Sequence, residues 1–161
     1  MANIILRRAN EYDYAGVYAV RTEAHSVHYT RANLSLSPYE YRNALFNNSY
    51  VTTYVALDDK KVVGVGTILK YKTNKKQGIG RVNVTVSRKY LKKGIGGAML
   101  EILHKVSAKE GLRMLEAHIQ QDNDAGKALV SKFNYTLCGE IEDALADANG
   151  VNNELIYIRK L

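Results

Sequence analysis

The sequence predicts an α/β fold: a single domain over residues 1–161, with a mixed, mostly antiparallel sheet of about seven strands flanked by about four helices. Three observations predict it. Segments rich in valine, threonine and tyrosine fill residues 50–86 with only short polar breaks, the pattern of an antiparallel meander. Beyond them strand-like and helix-like segments alternate, which requires a crossover connection. No internal repeat or low-complexity tract interrupts this order.

In chain order, Ile4 to Ala9 reads as a strand of branched residues, and Asn10 offers a cap to a helix in which Ala15, Tyr18, Ala19 and Thr22 share one face. Ser37-Pro38-Tyr39-Glu40 is a capping box with proline at the first helical position, and Tyr41, Ala44 and Leu45 follow on one side. Tyr50 to Leu57 and Lys61 to Tyr71 form a hairpin around Asp58-Asp59-Lys60. The polar stretch 73–78 leads into a third strand, Ile79 to Val86, where Val82, Val84 and Val86 alternate with Asn83 and Thr85. The next helix carries Ile95, Ala98, Met99, Ile102, Leu103 and Val106 on one stripe, and Gly111 ends it. His104 lies off that stripe and is expected to be exposed. Leu112 to Ile119 is a strand, and Asn123-Asp124 caps a fourth helix with Ala125, Ala128, Leu129 and Phe133 on its apolar face. Tyr135 to Ile141 and Glu154 to Leu161 close the sheet. The acidic, then asparagine-rich segment Glu142 to Asn153 reads as a hairpin connection at the edge.

With 161 residues, 46% of them apolar and 24% charged, the chain has room for one sizeable core. The first residues lack a positive region followed by a long apolar run, and no window approaches the roughly 18 apolar residues of a membrane span. A cytoplasmic protein without membrane contact is the expectation. The single cysteine, Cys138, cannot close an internal disulfide, and the four histidines show no ligand spacing, so no metal is expected. The formal charge of +7 favours an anionic partner: nucleic acid, a membrane surface or a phosphate-bearing small molecule. No long basic tract or binding module supports nucleic acid. The cluster from Arg88-Lys89 to Lys92-Lys93 stands apart, because it surrounds glycines that a phosphate site would need.

Gly94, Gly96 and Gly97 stand where a strand gives way to a helix, so the backbone can approach a ligand closely. The first helical N–H groups have no internal partners, and a pyrophosphate can accept from them at the positive end of the helix dipole. Lys92 and Lys93 add local charge. A P-loop is excluded by the missing Gly-Lys-Ser/Thr ending, and a dinucleotide fingerprint by Met99 where its third glycine would fall.

Val86-x-x-x-Tyr90-Leu91-x-x-Gly94-Ile95-Gly96 resembles the coenzyme A signature of the GNAT superfamily of N-acetyltransferases. Asn123-x-x-Gly126-x-x-Leu129-x-x-Lys132-x-Asn134-Tyr135 is similar to the family's second motif, and the order of elements agrees over nearly the whole chain. The resemblance implies acetyl-CoA as co-substrate, lying where the strand 79–86 splays from the strand 112–119. It implies that Val84 and Val86 bond the pantetheine through their backbone, that the Val84 N–H faces the thioester oxygen, and that the segment Leu91, Lys92, Lys93, Gly94, Ile95, Gly96, Gly97 holds the pyrophosphate. It also implies a bond from Asn123 to the coenzyme, and a homodimer as a common assembly. The sequence departs from the family at Leu91, where arginine or glutamine is usual, and at Asn134, where glycine is. It departs again at Val130, where many members carry the tyrosine that protonates the thiolate, and at Gly80, where some carry a glutamate base.

Attack on a thioester needs a neutral amine, hence a proton acceptor. Glu116 and His118 alternate with Ala117 on the neighbouring strand and offer a substitute base. Ser131, Tyr135 or water is left to protonate the thiolate. The amine acceptor, a small molecule or a peptide, is expected at the other end of the splay, near Glu23, His25, His28 and Tyr29. The reading is an N-acetyltransferase that works by direct attack in a ternary complex; its alternative is a catalytically weak acyl-CoA binding or sensing module.

Overall fold

The computed structural model describes residues 3–23, 25 and 36–161. Among them are a seven-stranded sheet and four helices. The order along the chain is β1 (Ile4–Arg8), α1 (Tyr14–Arg21), α2 (Pro38–Phe46), β2 (Val51–Asp58), β3 (Lys61–Lys70), β4 (Ile79–Val86), α3 (Ile95–Lys109), β5 (Met114–Gln120), α4 (Asp124–Lys132), β6 (Thr136–Asp147) and β7 (Gly150–Lys160). The strands lie in the order β1-β2-β3-β4-β5-β7-β6. Among the described strands, β4 and β5 make the one parallel pairing, and α3 is the crossover that joins them. The mixed, mostly antiparallel sheet predicted from the sequence is the sheet observed.

Each face of the sheet carries its own core. On one, Met99, Leu100 and Leu103 of α3 pack with Ile68, Val82, Leu115 and Ala117, and Val130 and Tyr135 extend the cluster. On the other, Val17 and Val20 of α1 and Tyr41 of α2 cover Val55, Leu57, Val62 and Val65. The capping box at α2 is present, with Ser37 Oγ accepting from the Glu40 N–H and Glu40 from the Ser37 N–H.

Three expectations need correction. The helix α1 buries Val17 and Val20 and leaves Ala15 and Ala19 exposed. Both stripes have helical spacing, and the one with more methyl surface gains more from burial, about 0.8 kcal/mol per CH₂. The segment 142–153 is mostly strand: β6 runs to Asp147 and β7 begins at Gly150, with Leu145 opposite Asn152 and Ala146 opposite Val151. Its polar side chains suit strands of an exposed edge hairpin, and the Asn153 carboxamide accepts from the Asp143 N–H. His104 is buried, 8% exposed, because Tyr135 and Arg159 receive it.

The parallel pairing of β4 with β5 spans only Ile79↔Met114 to Arg81↔Glu116. Past that point the strands diverge, β4 on to Val86 and β5 on to Gln120. The fold thus opens a wedge in the middle of its own sheet, floored on one side by α3 and α4.

Candidate active site

The wedge widens into a cavity of about 760 Å³ lined by both strands and by the starts of α3 and α4. Along its β4 wall, backbone direction follows from the pairing with β3. Ser87 N–H donates to Val63 O at 2.8 Å, and Ile79 O accepts from Tyr71 N–H at 3.3 Å, so odd-numbered backbone groups of β4 face β3. The groups of Val84 and Val86 are out of phase with these and face the wedge. His25 Nε2 donates to Val86 O at 3.1 Å from the side of α1.

The strand leads into a single 3-10 turn, Arg88–Tyr90, and then into the start of α3. Lys92 and Gly94 take left-handed backbone angles, φ 59° and 81°. Gly94 is the N-cap and has no side chain to cap with, so the amides at the helix start keep their donors for another acceptor. The first intrahelical bond runs from Ala98 N–H to Gly94 O. A side chain at Gly97 would stand 3.1 Å from Phe133 Cζ, so this glycine serves the approach of α4 to α3. Leu91, Lys92, Gly94, Ile95, Gly96 and Gly97 line the cavity together with Val84, Val86 and Asn123. Lys93 does not; its ammonium sits 4.9 Å from the centre of the Tyr90 ring. Tyr90 in turn donates to Asp58 Oδ2 at 2.6 Å, fixing the turn to the β2 end. Asn123 caps α4 by accepting from Gly126 N–H at 2.9 Å while also lining the cavity.

On the opposite face of the wedge, Glu116 and His118 meet: His118 Nε2 lies 3.0 Å from Glu116 Oε2. His118 lines the cavity and Glu116 stands behind it. Three groups absent from the sequence reading complete the set. Tyr71 donates to Glu116 Oε2 at 2.6 Å and accepts from Arg81 Nη2 at 3.1 Å. Glu154 of β7 places Oε1 2.5 Å from His118 Nδ1. Burial pushes the Glu116 carboxyl up, but the hydrogen bonds from Tyr71 and His118, with the charges of His118 and Lys76, outweigh it and hold the group below the usual carboxylate value. The signal for Glu154 was in the sequence, a single acid heading the apolar run Leu155-Ile156-Tyr157-Ile158; its neighbour across the sheet was not.

Gly80 faces the core. A Cβ there would sit 3.0 Å from Ile68 and Leu112 side-chain atoms, so an acid at this position would have no route to the acceptor side. Val130 is buried in the cavity wall. Ser131 and Tyr135 do not line the cavity, and the Tyr135 hydroxyl lies 2.9 Å from His104 Nε2. Glu23 turns toward the cradle: it accepts from Ser87 Oγ at 2.6 Å and from the Arg88 N–H at 2.9 Å. Burial opposes its ionisation, and those two bonds, with His25 and Lys61, bring it below the usual value. His28 and Tyr29 lie outside the described residues. No group of three or more metal-ligating side chains occurs among the described residues.

Residues 15–135 match the model of a family described as the acetyltransferase (GNAT) family. Solved structures of similar fold include three that match over nearly the whole chain. One is the acetyltransferase of GNAT family from Streptococcus pneumoniae, 19% identical, TM-score 0.86, with 99% of each chain covered. Another is the N-acetyltransferase from Staphylococcus aureus Mu50, 20% identical, TM-score 0.89, with 99% of each chain covered. The third is the ribosomal-protein-alanine N-acetyltransferase from Brucella melitensis, 20% identical, TM-score 0.87, covering 98% of this chain and 99% of that one. No curated protein matches the sequence.

Proposed function

This chain belongs to the acetyltransferase (GNAT) family, an acyltransferase family that uses an acyl-CoA, and from that premise we propose that it moves an acetyl group from acetyl-CoA to a primary amine by direct attack in a ternary complex. The observation that carries the reading is the open edge of β4. Its amides at Val84 and Val86 face a cavity that ends at the uncapped N-terminus of α3. Such an edge offers a chain of donors and acceptors to an extended pantetheine, and the helix start offers amides and positive potential to a pyrophosphate.

In this reading the amine nitrogen attacks the thioester carbon, a C–N bond forms and the carbonyl electron pair moves onto oxygen. The Val84 N–H donates to that oxygen; one such donor typically contributes 10²–10³-fold in rate. Collapse breaks the C–S bond, the thiolate takes a proton from water, and the hydroxide left behind takes up the proton that the imidazolium of His118 returns to solvent. His118, backed by Glu116, takes the proton that the amine gives up. Glu23 holds the Ser87-Arg88 entrance of the cradle, which makes it a support of the donor site in this proposal. The acceptor enters on the His118 side of the wedge. The proposal extends to a homodimer in the cytoplasm; sedimentation at twice the 18.0 kDa chain mass supports the assembly, and a monomer rules it out.

A second reading, a catalytically weak acyl-CoA binding module, is favoured by the valine at 130 and by the buried face on which Gly80 lies. Thiol release from acetyl-CoA in the presence of a broad primary-amine panel separates the two. Amine-dependent release with an N-acetylated product supports the enzyme; tight acetyl-CoA binding without release for any amine supports the module.

A further inference from the structure

We infer that Glu154 is a positioning residue for His118, the third member of a carboxylate–imidazole–carboxylate row reaching from β7 across β5. The inference rests on the reading of His118 as the proton acceptor. Glu154 is only 6% exposed. A carboxylate so placed is costly unless it is bonded, and its Oε1 lies 2.5 Å from His118 Nδ1. The antiparallel register brings this about. Ile156 lies opposite His118 and Glu154 opposite Gln120, so Glu154 is the diagonal neighbour of His118 on the same face.

The consequence concerns which ring nitrogen does the work. An ionised carboxylate only accepts, so Glu116 and Glu154 each favour a ring proton on the nitrogen they face; a neutral His118 has one to give, and the shorter contact, 2.5 Å to Glu154 against 3.0 Å to Glu116, places it on Nδ1. The lone pair is then on Nε2, the nitrogen that donates to Glu116 once the ring is protonated, with the ring against the cavity. When the acceptor's N–H bond breaks, its electron pair stays on the amine nitrogen and an Nε2–H bond forms. The imidazolium so produced donates to a carboxylate on each side, with no side chain having to move. Glu154 thus fixes the tautomer and stabilises the protonated ring, the logic by which a carboxylate orients a catalytic histidine elsewhere. Among the described residues, the titratable and charged groups that touch the ring are Glu116 on its own strand and Glu154 on β7. Arg81 and Tyr71 reach it through Glu116, Lys76 acts on that same carboxylate, and His25 lies across the cavity.

The test uses two readouts. In wild-type protein labelled with ¹⁵N at histidine, long-range ¹H–¹⁵N correlation identifies the neutral tautomer of His118. The Nδ1–H form is expected, and the Nε2–H form overturns the inference whether or not an acceptor amine is known. With an amine that turns over, Glu154→Gln should lower kcat at least tenfold with the KM for acetyl-CoA unchanged. It should also move the acid limb of the kcat/KM profile to lower pH, while Glu154→Asp restores part of kcat. A folded Glu154→Gln protein that keeps both kcat and its pH profile overturns the inference and leaves the transferase reading standing. A wild-type protein with the Nδ1–H tautomer and no turnover with any amine counts against the transferase reading alone.

Discussion

At position 118 the surroundings decide the chemistry more than the residue does. An exposed histidine between polar neighbours has no fixed tautomer; this one is 10% exposed and is held from both sides by carboxylates. His118→Ala is expected to lower kcat by about 10²-fold, the low end of general acid–base contributions, with acetyl-CoA affinity unchanged. Steady-state thiol release with the wild type as reference measures it, and a parallel loss of acetyl-CoA binding would point to a folding defect instead. Glu116→Gln removes a charge and keeps one acceptor for Tyr71, so a smaller loss of kcat is expected from the same assay. These roles were only half legible from sequence. The alternation of Glu116 and His118 with Ala117 is local and was read correctly as one face. Arg81 and Glu154 arrive from other strands and Tyr71 from just past the end of β3, and no local pattern announces their distance.

At the scale of elements, the helix α3 is locked on its outer side by a buried polar cluster. Arg159 donates to Phe133 O at 2.8 Å and reaches His104 Nδ1 at 3.1 Å; since guanidinium only donates, that nitrogen accepts and Nε2–H faces Tyr135. Burial, aided by the charge of Arg159, lowers His104 from 6.5 to about 4. The folded value is the lower one, so between these pH values the unfolded chain binds more protons. The contribution is complete above pH 6.5 and is lost as pH falls toward 4. Urea unfolding at pH 7 and pH 4.5 should show this loss. His104→Leu should flatten that pH dependence while costing about 1–3 kcal/mol at pH 7, because Tyr135 and Arg159 lose a partner. A second test lies at the sheet. A Cβ at Gly66 would fall 2.6 Å from Met99 Cγ, so Gly66→Ala should destabilise by about 1–3 kcal/mol through overpacking of α3 against β3. Hydropathy counting missed His104 because it scores a side chain without its partners. The same counting took Asn152 and Asn153 for a loop, although the pairing of β7 with β6 makes them strand.

At the scale of the molecule, one feature of topology produces the site. The crossover through α3 makes β4 and β5 parallel neighbours, and their pairing ends at Arg81↔Glu116. Everything beyond is an opening with backbone amides on one wall and His118 on the other. The proposed donor half is contiguous in sequence, a strand end, Lys92, glycines and a helix start, so its parts could be read together. The proposed acceptor half was not legible, because its described groups come from β5 and β7, which are distant in sequence. A ligand that binds the folded wedge and not the unfolded chain favours the fold by mass action, so acetyl-CoA at a hundred times its Kd should stabilise the protein by about 2.7 kcal/mol. For a chain of this size that raises Tm by roughly 5 to 11 °C. Thermal unfolding with and without acetyl-CoA checks it, and added salt should reduce the shift by screening the pyrophosphate from Lys92 and the helix start.

The account stands on the donor lying along the β4 edge, and a crystal structure of the protein with acetyl-CoA tests this most directly. The prediction is a pyrophosphate on the amides of residues 94–97, a pantetheine along Val84 and Val86, and the thioester oxygen within hydrogen-bond reach of the Val84 N–H. An acetyl-CoA bound outside the wedge, or one whose thioester lies away from both Val84 and His118, would contradict it.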